Sequence, residues 1–241
     1  PTQIKPNREL PSQLFVNIKT SQVPALTRMN KSGLLVSCVL IGNSSVGKTA
    51  VLRRWRGLKF DPETEPTELE CRVCIKEKAN GDVVKFSVWD TSGQTNFREF
   101  RKLCYKTSLV AVVMFSLTDS RSFFDVEDVW MKELRDEAPN LPVILVGTKR
   151  DMRRDRNYFQ SSEAKDMTNV SKVISEEQGE AMANSIGAMA YVECSAVADN
   201  ADMLFDHVFR ASVKRINKLK GKIRHKPEKW ILGVTRKHVN K

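Results

Sequence analysis

Residues 42–49 read Gly-Asn-Ser-Ser-Val-Gly-Lys-Thr and directly follow the apolar run Leu34–Ile41. A G-x-x-x-x-G-K-[ST] pattern at the end of a strand predicts a phosphate-binding loop. Gly42 and Gly47 permit backbone angles that let successive N–H groups curl around an anion, and the helix that follows points its positive end at the same anion. Lys48 can reach the β and γ phosphates, and the Thr49 hydroxyl can bind Mg²⁺. The loop alone predicts a nucleoside triphosphate site and leaves the base open.

Apolar runs and amphipathic segments alternate along the rest of the chain. Residues 79–82, Ala-Asn-Gly-Asp, predict a hairpin turn between two strands. The order β-α-β-β-α-β-α-β-α-β-α predicts a three-layer α/β fold, with a mostly parallel six-stranded sheet, one antiparallel hairpin and about five helices. The predicted strands are 34–41, 70–77, 83–89, 109–115, 142–146 and 190–193, and the helices with assigned bounds are 48–56, 122–137, 176–186 and 199–219.

Charge divides the chain into three parts. Residues 1–33 carry five Lys/Arg and one Glu, whereas 214–241 carry eleven Lys/Arg and one Glu, so the net charge of +11 resides in the ends. We expect 1–33 to be a loosely ordered extension, 34–213 a globular domain and 214–241 a basic helix end and tail. The five scattered cysteines favour reduced thiols and a cytoplasmic location.

Further polar motifs follow the predicted strands. Asp90 can hold Mg²⁺ through water, the bare N–H of Gly93 can approach a γ-phosphate, and Gln94 can orient an attacking water. After the strand 142–146 comes Thr-Lys-Arg-Asp, in which the carboxylate of Asp151 can accept two hydrogen bonds from a guanine edge. The stem of Lys149 can lie on the purine face. Ligands in such folds lie at the carboxyl ends of the strands.

Taken together, these motifs resemble those of Ras-superfamily small GTPases over about residues 34–213. The resemblance implies a P-loop GTPase fold and a small monomeric enzyme that binds GTP or GDP with Mg²⁺ and hydrolyses GTP slowly. It implies Gln94 and Lys48 as catalytic residues, and Thr49, Thr67 and Asp90 (through water) as metal ligands. The residues it predicts at the nucleotide are Gly42, Asn43, Ser44, Ser45, Val46, Gly47, Lys48, Thr49, Ala50, Phe60, Thr67, Asp90, Gly93, Thr148, Lys149, Asp151, Ser195 and Ala196.

Several features are similar to the Rho branch. These are a charged insert at about 153–175, Thr148, Trp130 and the sequence Glu-Cys-Ser-Ala at 193–196. The resemblance implies an exchange factor, a GTPase-activating protein and effectors as partners, bound through switch loops 57–70 and 90–104. The first switch, Glu-Thr-Glu-Pro-Thr-Glu-Leu-Glu at 63–70, departs from Rho because its four glutamates should repel acidic partners. Ser44 replaces a usual glycine, and we expect it to blunt activator-stimulated hydrolysis.

Two other functions stay open at this point. One is a nucleotide-binding scaffold with negligible turnover, which Ser44 and the unusual first switch favour. The other is a nucleic-acid-associated protein, suggested by the basic ends, but we regard it as unlikely because no aromatic-interleaved groove accompanies them. The tail 214–241 either binds an anionic membrane surface at its cytoplasmic face or is a solvated helix end.

Overall fold

The computed structural model describes residues 34–63, 69–77, 83–154, 173–198 and 201–222. Six strands form one sheet in the order β2-β3-β1-β4-β5-β6. All neighbours run parallel except β2 and β3, which pair antiparallel, as the predicted hairpin requires. The strands are β1 Leu34–Ile41, β2 Leu69–Glu77, β3 Val83–Thr91, β4 Val110–Ser116, β5 Val143–Thr148 and β6 Ala190–Glu193.

Among the described residues, four α-helical stretches connect these strands and a fifth follows β6, so the predicted fold class is confirmed. The third stretch is one continuous run in three parts, whose middle part, Val126–Met131, is π-helical. We label the complete run α3. The others are α1 Lys48–Trp55, α2 Arg98–Thr107, α4 Glu176–Ser185 and α5 Asp202–Lys222, and the parts of α3 are Ser120–Asp125, Val126–Met131 and Lys132–Glu137.

Hydrophobic cores lie on both faces of the sheet, because alternate residues of each strand point to opposite faces. On one face, Trp55 of α1 stacks on Phe205 of α5 at 3.6 Å between ring centroids and meets Phe86 of β3 edge-on at 4.9 Å. On the other face, Phe115 of β4 packs with α2, α3 and α4. β4 and β5 are buried throughout, as expected for central parallel strands.

Three strands end later than predicted: β4 by one residue, at Ser116, and β3 and β5 by two. β3 continues through Asp90 and Thr91, because Asp90 stays in register with Leu40 of β1 and Glu70 of β2. β5 likewise includes Thr148, which pairs with Ser116. The predicted site residues Asp90 and Thr148 therefore belong to the ends of hydrogen-bonded strands rather than to the loops after them.

Some predicted features lie outside the described residues. They include the extension 1–33, the turn 79–82, residues 64–68 of the first switch with Thr67, most of the insert 153–175, and residues 223–241 of the basic tail. Helix α5 reaches Lys222, so the first part of the basic segment 214–241 continues the last helix of the domain. Within the described residues, no helix combines the length and the apolar character needed to cross a membrane.

Candidate functional site

The loop between β1 and α1 adopts backbone angles that few side chains permit. Gly42 has φ +142°, and a Cβ there would lie 2.0 Å from the carbonyl oxygen of Met114 on β4. Gly47, at the N-terminus of α1, has φ +98°, and Ser45 has φ +61°. Only glycine fits at residue 42, since both the conformation and the close approach of β4 exclude a side chain. The loop is thus held tightly against the sheet.

Lys48 lies inside this loop, with only 6% of its surface exposed. Its ammonium group donates hydrogen bonds to the carbonyl oxygens of Gly42 (2.8 Å) and Asn43 (2.7 Å). Burial lowers the pKa of Lys48 to about 8, although the charge of Asp90 opposes the shift. A buried cation whose pKa is lowered in this way is stabilised by an incoming anion. The side chain is therefore placed and charged to bind a phosphate group.

Asp90 and Thr91 close the end of β3 beside the loop. Both are buried, and the Thr91 hydroxyl donates to the carbonyl oxygen of Leu40 at 2.7 Å, which ties β3 to β1. Asp90 is close enough to Lys48 to raise its pKa. The Asp90 carboxylate and the Thr49 hydroxyl at the start of α1 are hard oxygen donors, the type that Mg²⁺ prefers. This donor set fits the predicted metal, whereas the third predicted ligand, Thr67, lies outside the described residues.

Gly93 touches the phosphate loop with its backbone. A Cβ at this position would lie 2.3 Å from the backbone nitrogen of Ser44, 2.5 Å from the carbonyl carbon of Asn43 and 2.7 Å from the carbonyl oxygen of Gly42. The predicted second switch and the phosphate loop are therefore in direct contact. Ser44 and Gln94 are both exposed next to this contact, so their side chains can reach a ligand there.

Arg101 of α2 anchors the backbone around Gly93. It donates to the carbonyl oxygens of Ser92 (3.0 Å) and Gln94 (2.7 Å) and makes a two-pronged ion pair with Glu133, with both N–O distances 2.7 Å. Burial alone would lower the pKa of Arg101, but the hydrogen bonds and charge of Glu133 outweigh it, so the pKa is raised. Arg101 is therefore a permanent buried cation.

Trp130, on the π-helical part of α3, connects Arg101 with the phosphate loop. Its indole N–H donates to the side-chain oxygen of Asn43 at 2.6 Å, and the Arg101 guanidinium lies 5.0 Å from its ring centroid. The Asn43 amide donates in turn to Asp125 at 2.5 Å. Both ends of the Asn43 side chain are thus bonded to α3, so the predicted role of Asn43 at the nucleotide is left to its backbone.

The predicted base-recognition residues lie at the ends of β5 and β6. The Thr148 hydroxyl is buried, 2.5 Å from the carbonyl oxygen of Val46 and 2.9 Å from that of Phe115. It thus ties β5 to the phosphate loop and to β4. Lys149 has φ +60°, and this left-handed residue turns the chain into the short 3₁₀ segment that begins at Arg150 and contains Asp151. Asp151 is partly exposed there, as a group that binds a base must be.

A second connection brings β6 to the same place. The backbone N–H of Arg150 donates to the carbonyl oxygen of Cys194 at 3.1 Å, so the turn with Asp151 lies beside the residues that follow β6. Ser195 is buried, and its hydroxyl accepts hydrogen bonds from the N–H groups of Val197 (3.1 Å) and Ala198 (3.0 Å). Ala196 packs at the margin of a hydrophobic core. The predicted Asp151 and Ser195 regions are therefore neighbours.

Arg153 and Glu193 fasten the two ends of the predicted insert. Arg153 makes a two-pronged pair with the Glu193 carboxylate, at 2.6 and 2.7 Å, and donates to the carbonyl oxygen of Ile174 at 2.7 Å. The Tyr191 hydroxyl also donates to Glu193, at 2.7 Å. The turn that contains Asp151 is held from both sides by these contacts.

The loop after α1 carries the remaining predicted ligand. Phe60 is 44% exposed, and Leu58 beside it is also exposed. An ion pair of 3.7 Å between Arg53 and Asp61 holds the loop to α1. The structure therefore leaves the ring of Phe60 accessible for the predicted contact with the nucleotide.

Arg101 and Glu133 are not among the site residues predicted from the sequence. A signal was present, because Arg101 shares a helical stripe with Cys104 and Tyr105 at spacings i+3 and i+4, and both are buried. A charged residue on an apolar stripe indicates a buried ion pair. Trp130 had been noted only for its likeness to Rho, and its bond to Asn43 has no local sequence signal.

The geometry combines a phosphate loop, a buried lysine, a carboxylate at the end of β3 and a separate turn with a second carboxylate. The family model of the Ras family matches residues 37–218, which is most of the chain. Ras-family proteins are GTP-binding molecular switches with GTPase activity, and they interact with exchange factors, activating proteins and effectors. The chain therefore belongs to the Ras family.

Proposed function

We propose that the chain is a Rho-like switch that binds GTP or GDP together with Mg²⁺ and hydrolyses GTP slowly. The observation that carries this proposal is the contact between Gly93 and the phosphate loop, where a Cβ would lie 2.3 Å from the nitrogen of Ser44. A segment that meets the loop at this point can bind a γ-phosphate through its bare N–H and lose that bond after hydrolysis.

The residues of the chain divide the chemistry between them. Lys48 neutralises phosphate charge from its buried position, and the N–H groups of the loop and of α1 bind the phosphate oxygens. Gln94 orients the attacking water, since it follows Gly93 directly and is exposed. Thr49 and Asp90, the latter through water, would hold Mg²⁺, which supplies further neutralisation of the β and γ phosphates when bound. Positioning and charge therefore account for catalysis without a covalent intermediate.

The Rho-like assignment rests on the α3 side of the site and on the insert. Trp130, one of the residues that the chain shares with Rho, bonds directly to the phosphate loop through Asn43. Arg153 and Ile174 lie near the two ends of the predicted insert, and the Arg153 side chain bonds to both Ile174 and Glu193. A partner that binds the insert would thus act on the turn with Asp151.

Partners and location follow from the exposed segments. We assign the exchange factor, activating protein and effectors to the switch loops 57–70 and 90–104, where Leu58, Phe60 and Leu103 expose apolar side chains. The basic segment 214–241 is assigned to an anionic membrane surface on the cytoplasmic side, at about 1 kcal/mol per basic residue near the surface. Sedimentation with phosphatidylserine vesicles, against filter binding of nucleic acid at physiological salt, tests this assignment.

Base preference provides the first experiment. Wild-type protein should bind GTP far more tightly than ATP, and Asp151→Ala should remove most of this preference, because adenine cannot offer Asp151 the paired donors of guanine. Asp128→Ala is the matched control, since Asp128 is an exposed carboxylate on α3 that pairs only with Lys132 in the described contacts. Equal affinity of the wild type for both triphosphates would refute the proposal.

Single-turnover hydrolysis then separates the two candidate functions. A switch should convert bound GTP in a Mg²⁺-dependent reaction that Gln94→Ala slows. The alternative is a binding scaffold, favoured by the exposed Ser44 side chain at the contact with Gly93. A scaffold would bind GTP with the same base preference and return it unhydrolysed.

A further inference from the structure

The backbone of the second switch is held by a group that does not belong to the nucleotide site. Arg101, only 2% exposed, donates to the carbonyl oxygens of Ser92 and Gln94, the two residues that flank Gly93. Its other N–H groups bind both oxygens of Glu133. One planar guanidinium thus fixes the backbone on both sides of Gly93 relative to α2 and α3.

This arrangement is well suited to holding geometry. A buried guanidinium must satisfy its donors, and its fork has fixed directions. Glu133 is itself oriented by the Tyr105 hydroxyl, which donates to it at 2.5 Å. Burial would raise the pKa of Glu133, but the hydrogen bonds from Arg101 and Tyr105 lower it, so the carboxylate stays ionised. The pair is therefore charged and rigid at physiological pH.

Trp130 extends the same network to the phosphate loop. The indole ring lies against the Arg101 guanidinium, while its N–H bonds to Asn43, whose carbonyl oxygen accepts from Lys48. Trp130 belongs to the π-helical part of α3, and π-helical turns occur frequently at functional sites. Every contact in this chain of interactions is made by protein atoms.

We infer that Arg101 is a positioning residue for GTP hydrolysis, because it clamps the backbone of Ser92 and Gln94. Trp130 connects this Arg101 clamp to the phosphate loop. Arg101 then holds the backbone of Ser92–Gln94 against the phosphate loop. This inference rests on the proposed function in so far as hydrolysis is its readout.

The first test separates positioning from folding. Arg101→Lys keeps the charge but loses the fork, so it should lower the single-turnover rate of GTP hydrolysis by about tenfold or more. Dissociation of bound GDP should change less than about twofold. Arg210→Lys is the matched control, because Arg210 is exposed on α5, which packs on the other face of the sheet. It should hydrolyse GTP like the wild type.

Trp130→Phe tests the connection to the phosphate loop. It keeps an aromatic ring beside Arg101, removes the N–H that bonds to Asn43 and replaces the two-ring indole with a single ring. We expect a smaller reduction in hydrolysis than with Arg101→Lys, and a double-mutant cycle of the two should show coupling, because residues in one network are not additive. This variant also provides the test if Arg101→Lys does not fold.

Hydrogen exchange gives a readout that does not require hydrolysis. Amides of residues 92–94 should exchange faster in both variants than in the wild type, with GDP as well as with a non-hydrolysable GTP analogue, while β1 remains protected. If the wild type does not bind guanine nucleotides, the proposed function is refuted. Hydrogen exchange in the nucleotide-free protein would still test whether Arg101 holds the backbone of Ser92–Gln94. Unchanged hydrogen exchange and unchanged hydrolysis in folded Arg101→Lys would overturn the inference. A GDP release that is accelerated by as large a factor as hydrolysis is slowed would overturn it as well.

Discussion

Replacing Gly93 with alanine would place a methyl group inside the phosphate loop. The new Cβ would lie 2.3 Å from the nitrogen of Ser44, whereas non-bonded heavy atoms meet at about 3.5 Å, so the two segments must separate by roughly 1 Å. Neither segment yields easily. Arg101 holds the residues on both sides of Gly93, and the loop at Gly42 is confined by β4. We expect the overpacking to cost about 1–3 kcal/mol of folding free energy.

A separation of this size is enough to disturb catalysis. A misplacement of about 1 Å can cost about 10²-fold in rate, so single-turnover GTP hydrolysis by Gly93→Ala should fall by about that factor. The melting temperature should fall by several degrees, since each kcal/mol shifts it by about 2–4 °C in a domain of this size. Rapid-quench kinetics and thermal denaturation measure the two effects.

Gly187→Ala is the control for the substitution itself. Gly187 has φ +67° and no atom within 4 Å of its would-be Cβ, so alanine there brings conformational strain of about 1–2 kcal/mol without any clash. It lies after α4, away from the site, and should leave hydrolysis unchanged. If Gly93→Ala melts and hydrolyses GTP like the wild type, the contact between switch and loop does not exist as described.

Three other predictions concern the phosphate loop and the core. Above pH 8 Lys48 loses its proton in the nucleotide-free protein, so GTP affinity should fall by up to about tenfold per pH unit, and Lys48→Arg should remove this slope in titrations across pH 7–10. Ser44→Gly should accelerate hydrolysis in the presence of a Rho-directed activating protein; equal rates would contradict a blocking role. Trp55→Ala should lose about 3–5 kcal/mol in denaturant unfolding, because the ring stacks on Phe205 at 3.6 Å; a loss below 1 kcal/mol would argue against this core.

The order of strands and helices was predictable because each central strand is a continuous apolar run. β4 and β5 are buried on both faces, so they contain almost no polar residues to confuse the pattern. Strand ends were less predictable. Asp90 and Thr148 are polar, and a polar residue after an apolar run indicates a loop, yet backbone pairing with neighbouring strands continues through both. Register is a tertiary property that local sequence does not contain.

The phosphate loop was located because its glycines, lysine and threonine have fixed spacing and fixed tasks. The side-chain hydrogen bonds around the phosphate loop could not be predicted, since they join residues far apart in sequence. The Trp130 indole meets Asn43 across 87 positions, and the Thr148 hydroxyl meets Val46 across 102. The Thr148 hydroxyl, which was expected at the nucleotide, instead bonds to backbone carbonyl groups of the phosphate loop and of β4. The direct ligands of the nucleotide stay predictions, whereas the fold and the family are confirmed.

The two buried cations of the site differ in a way that explains their roles. Arg101 has a full carboxylate partner in Glu133, so its pKa is raised and its charge is already neutralised within the protein. Lys48 has two carbonyl oxygens and the charge of Asp90 nearby, yet burial still lowers its pKa. The first cation therefore gains nothing from an anionic ligand and serves to hold backbone in place. The positive charge of Lys48 is incompletely neutralised within the protein, so a phosphate bound there should stabilise the folded state against unfolding.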